Sequence, residues 1–134
     1  MIYLIYDMTT GQIKRTGASV DPLLQATEPG EDVLVEEADQ RTEYVDLNTL
    51  TVDPKAPATF AVDKDTVLAD GLDEVQLLGL DVGDEVTVVF EGKNIDYFIY
   101  GPGDDALTFN DDGPYTLHVR SLYKLEKEIT VDAT

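Results

Sequence analysis

Asp111-Asp112-Gly113-Pro114-Tyr115 leads straight into Thr116-Leu117-His118-Val119-Arg120. The first five residues carry turn chemistry. Gly113 can take backbone angles that a Cβ resists, and Asp111 has a carboxylate suited to bonding turn amides. Tyr115 then begins a run alternating between apolar and polar side chains, the period of a half-buried strand. A tyrosine at that point buries its ring and still needs a partner for its hydroxyl, which backbone a few residues upstream can supply. Asp111, Gly113 and Tyr115 therefore predict a tyrosine corner, the lock beside a crossover between the two sheets of a sandwich.

The same texture recurs on both sides of this corner. Thr59 to Val62, Glu74 to Leu78, Glu85 to Phe90, Ile95 to Tyr100, Ala106 to Phe109, Tyr115 to Arg120 and Glu128 to Val131 read as short strands. Gly, Asp, Asn or charged residues punctuate them. Short strands at near-regular spacing, together with the corner, predict an immunoglobulin-like β-sandwich over residues 59–134. Alternation places Tyr115, Leu117, Val119, Val86, Val88 and Phe90 inside. Thr116, His118, Arg120 and Thr87 belong outside, and Val89 breaks the pattern.

Upstream, Ile2 to Asp7 reads as a strand covered on both faces, paired in a hairpin with residues 12–16 across Met8-Thr9-Thr10-Gly11. Asp21-Pro22 has the chemistry of a helix start, predicting one short helical turn over residues 21–26. Val33 to Glu36, Thr42 to Asp46 and Thr49 to Val52 are further strands, the last two joined by a turn that Asp46 and Asn48 favour. Residues 1–53 thus form a small β-rich unit. Pro54 and Pro57 mark residues 54–58 as a stiffened linker. The fold class is all-β.

Charge narrows the partners. The 134 residues hold 28 acidic and 9 basic side chains, a formal net charge of −19. Acids outnumber bases 11 to 4 through Lys55 and 17 to 5 beyond it, so neither portion hides a basic stripe. Phosphate backbones and anionic lipid heads are bound through clustered Lys and Arg, so neither nucleic acid nor a membrane surface is an expected partner. There is no long apolar stretch for a membrane-spanning helix, and the opening Met1-Ile2-Tyr3-Leu4 lacks the basic start of a secretory signal. Without cysteine there is no disulfide framework and no thiolate metal site.

Catalytic chemistry finds little footing. His118 is the one histidine, on a strand's outer face, and one imidazole makes neither a triad nor a zinc site. Ser19 and Ser121 lie in no nucleophile elbow. Asp63, Asp65 and Glu74 match three positions of a calcium loop, but Leu68 stands where that loop requires glycine. Asp104-Asp105 and Asp111-Asp112 are best read as solvated turns. No enzyme activity, metal or cofactor is expected. Tyr97-Phe98-Ile99-Tyr100 is more informative, because four large apolar residues in a strand put two on each face. One pair therefore needs cover from outside the sandwich core. With Tyr123, these residues form the candidate contact surface.

Three stretches together resemble small structural proteins of tailed bacteriophages. They are Tyr3-Leu4-Ile5-Tyr6-Asp7 with Thr10-Gly11-Gln12-Ile13; Glu43-Tyr44-Val45-Asp46 with Thr49-Leu50-Thr51-Val52-Asp53-Pro54; and Gly79-Leu80, the corner and Val131-Asp132-Ala133, which are similar to an appended immunoglobulin-like module. The resemblance spans most of the chain and transfers no functional residue. It implies a virion component of tail, baseplate or connector, made in the host cytoplasm, with other virion proteins as partners and homo-oligomers within a symmetric assembly. Capsid decoration is a further possibility. The alternative is a carbohydrate-binding or adhesion module that engages a cell surface.

Overall fold

The computed structural model describes residues 1–22 and 27–134. The helical turn expected over residues 21–26 falls mostly on residues outside that set. The chain is all-β, with thirteen strands among the described residues. It divides into two compact units, Met1–Ala56 and Pro57–Thr134.

The first unit is built on β1 (Ile2–Asp7), the centre of a three-stranded sheet flanked by β2 (Ile13–Ala18) and β3 (Glu31–Leu34). Leu4, Ile5 and Tyr6 are all buried although they alternate in direction, as a strand covered on both faces requires. A hairpin of β4 (Glu43–Asp46) and β5 (Thr51–Pro54) adds Val45 to the cluster of Leu4, Tyr6 and Ile13. Its turn forms as the sequence predicts, the Asp46 carboxylate accepting from the Asn48 amide at 2.9 Å. Pro54 stands opposite Glu43 at the end of this ladder, so pairing runs into the first of the residues read as linker.

The second unit contains β6 (Ala61–Val62), β7 (Thr66–Val67), β8 (Val75–Leu78), β9 (Glu85–Phe90), β10 (Lys93–Ile99), β11 (Ala106–Leu107), β12 (Gly113–Arg120) and β13 (Lys127–Ala133). One sheet has the order β10-β9-β12-β13-β7 and the other β11-β8-β6. Val75 and Leu77 from the smaller sheet share a single core with Val86, Val88, Leu117, Val119 and Val131 from the larger one. Two sheets closing on one core make a β-sandwich. The inward residues named from alternation are buried or packed against this core, as period two demands.

Two departures have local causes. Thr59 and Phe60 lie outside the ladders: the Thr59 hydroxyl donates to the Gly79 carbonyl at 2.7 Å, and Phe60 turns its ring into the core. β7, only two residues long, was not anticipated. It pairs in parallel with β13 after the chain has crossed from one sheet to the other over Asp63–Asp65. So short a strand leaves no periodicity to read.

Candidate functional site

The corner forms where the sequence places it. Tyr115 is 3% exposed, and its hydroxyl donates to the Asp111 carbonyl oxygen at 2.9 Å. It is thus the main chain of Asp111 that closes the corner. Phe90 stacks on the Tyr115 ring at a centroid distance of 4.3 Å, and Phe109 lies against it at the same distance, tilted. Gly113 has φ +137°, and a Cβ there would meet the Phe90 ring at 2.9 Å. Backbone angle and space both exclude a larger residue. Burial pushes the Tyr115 hydroxyl pKa up, with the Asp111 and Asp112 charges adding to it. The corner locks Tyr115 between two aromatic rings and the Asp111 main chain.

The aromatic stretch divides as alternation predicts. Phe98 pairs opposite Val86 and packs on the core, while Tyr97 and Ile99 point away from it, 54% and 59% exposed. Tyr100 follows the end of β10, its hydroxyl held by Asp105 at 2.6 Å. Tyr123 lies in the β12–β13 loop, 47% exposed. Pairing sets the outer face in rows: Tyr97, Thr87, His118 and Glu128 lie in one, and Ile99, Glu85 and Arg120 in the next. Tyr123 is reached three residues beyond Arg120, from the end of the sheet where Ile99 lies.

Polar contacts fix this face. The Tyr97 hydroxyl donates to Glu85 at 2.7 Å, which leans the phenol across to β9 and raises its pKa. His118 is half-buried and not the freely exposed residue expected: its Nε2 lies 3.2 Å from Glu126, whose other carboxylate oxygen faces Arg120 Nε at 3.3 Å. Glu85 and Glu126 are participants that sequence reading passed over. Glu85 shares the face of Thr87 on β9, and the strand register brings it beside Tyr97.

β10 is an edge strand, yet its edge is guarded. A bulge interrupts the pairing between Asn94 and Asp96, leaving Ile95 unpaired with β9 and 53% exposed. Asp96 stands opposite Val88, a charge on the core-facing side, and its carboxylate accepts the Tyr97 amide at 2.8 Å. Bulges and inward charges are the devices by which sheet edges resist pairing with another strand. What β10 leaves open is its face.

The turn that carries Asp104 and Asp105 satisfies itself. Asp104 accepts the Gly101 amide at 3.1 Å while Asp105 accepts the Tyr100 hydroxyl. Among the described residues no three His, Asp or Glu side chains gather as a metal-binding group. No protein-family model, curated protein or solved structure matches this chain.

Proposed function

We propose that this chain is a non-enzymatic attachment subunit that docks to neighbouring subunits through the outer face of β10 and β9. The observation carrying this reading is the pair Tyr97 and Ile99, large, more than half exposed and side by side on one face of β10. Aromatic and aliphatic anchors of this kind supply most of the binding energy at protein interfaces. The guarded edge favours face-to-face docking over strand addition. The resemblance to small tailed-phage structural proteins gives the setting: a virion subunit of tail, baseplate or connector, repeated by symmetry so that one modest contact gains avidity.

Light scattering of the full chain at increasing salt tests this. Copies carrying −19 each repel, and salt screens that repulsion while leaving apolar burial intact. Association that grows with salt and is lost in Tyr97→Ser supports docking between copies. A monomer at every salt concentration that binds immobilised glycans through Tyr97 would replace this reading with the carbohydrate-binding one.

A further inference from the structure

A second surface lies in the β7–β8 loop, residues 68–74. Leu68 and Leu72 stand 56% and 82% exposed there, between the buried Val67 and Val75. Leucines so exposed gain little from folding, and a mobile loop would present them without order. This loop is pinned. The Leu68 amide donates to Asp73 Oδ2, and the Leu72 and Asp73 amides both donate to Asp70 Oδ1, each at 2.9 Å. The Ala69 amide reaches the Thr134 carbonyl and the Gly71 amide the Phe109 carbonyl. Lys64 holds the other oxygen of Asp73 at 2.6 Å. Closure sets residue 68 one hydrogen bond from residue 73, beside Leu72, and Gly71 (φ +72°) is pressed so near Asn110 that a Cβ would lie 2.5 Å from its side-chain oxygen.

Rigid display of an apolar side chain removes the ordering cost that binding otherwise meets. Charge identifies what fits over it. Asp63 to Glu74 contains five acids and one lysine, and that lysine is taken by Asp73. The Gly71–Phe109 bond also brings in the loop that carries Asp111 and Asp112. A second copy of this chain would bring acid against acid. We infer that the Leu68–Leu72 loop is a preorganised docking knob for an apolar pocket, rimmed by Lys or Arg, on a different protein. The knob is separate from the β10 face and stands or falls independently of it.

A cyclodextrin with ammonium groups around its rim reproduces that chemistry in miniature, an apolar cavity ringed by cations. Titrated into the full-length, isotope-labelled chain, it should shift the amides of residues 68–74 more than any others. Leu72→Ser keeps the backbone amide that Asp70 holds, and it should weaken the affinity about tenfold, the loss of one buried leucine contact. Asp70→Ala leaves both leucines but loosens their display, and should weaken it severalfold. Shifts that follow acidic residues throughout the chain, or an affinity within twofold of the parent in Leu72→Ser, would overturn the inference.

Discussion

The two faces of the five-stranded sheet are made by the same strands and could hardly differ more. On the inner face Val86, Val88, Tyr115, Leu117, Val119 and Val131 are all buried. On the outer face Thr87 and Glu85 stand beside Tyr97 and Ile99, and His118, Arg120 and Glu128 continue the same rows across the sheet. Each face has a tyrosine with a bonded hydroxyl. The Tyr115 hydroxyl donates a hydrogen bond to a main-chain carbonyl, its ring packed between two others; the Tyr97 hydroxyl donates to a carboxylate at the surface. The first arrangement fixes where the chain turns. The second lies at the surface and leaves more than half of Tyr97 exposed.

That contrast can be broken most forcefully from the inside. Leu117 is fully buried, and Leu117→Ala should destabilise the second unit by about 3 kcal/mol, read from denaturant unfolding. Gly113→Ala should cost about 2 kcal/mol, since the added methyl meets both a positive φ and the Phe90 ring. Tyr115→Phe isolates the corner hydroxyl and should cost about 1 kcal/mol; an unchanged melting temperature would mean that the bond to Asp111 contributes nothing. On the outer face, Tyr97→Ser should stay within about 0.5 kcal/mol of the parent. A large loss there would make Tyr97 a structural residue and undo the comparison.

Acid sharpens it further. Hydrogen bonds from backbone amides hold Asp70, Asp73 and Asp7 below the usual carboxylate pKa, with Lys64 assisting at Asp73. A carboxylate whose folded pKa is depressed contributes stability that is complete above the unfolded value, 3.8, and is lost as the pH falls through the lower folded value. Amide protection in residues 68–74, measured relative to intrinsic exchange, should therefore fall below that pH before protection of the β12 amides does. Simultaneous loss of protection in both would show that the loop has no local stability of its own.

The inner face was legible because burial writes itself into alternation, and the corner because glycine and tyrosine leave few alternatives. The outer face was legible only in part. Glu91 and Gly92 both have positive φ in the two-residue turn joining β9 and β10, and so tight a turn sets the register at its mouth. The bulge at Ile95 then shifts that register by one residue. No composition signal announces a bulge, so the pairing of Tyr97 with Thr87, and with it the reach to Glu85, stayed hidden. The contact between His118 and Glu126 depends on the course of the loop between β12 and β13, which has no period at all.

Chemical shifts followed against protein concentration at raised salt test the docking claim most directly. The account predicts that residues 95–99 of β10 and Glu85 to Thr87 of β9 move together as concentration rises, while Leu117 and Val119 stay still. Concentration-independent spectra, or movement confined to other surfaces, would contradict it.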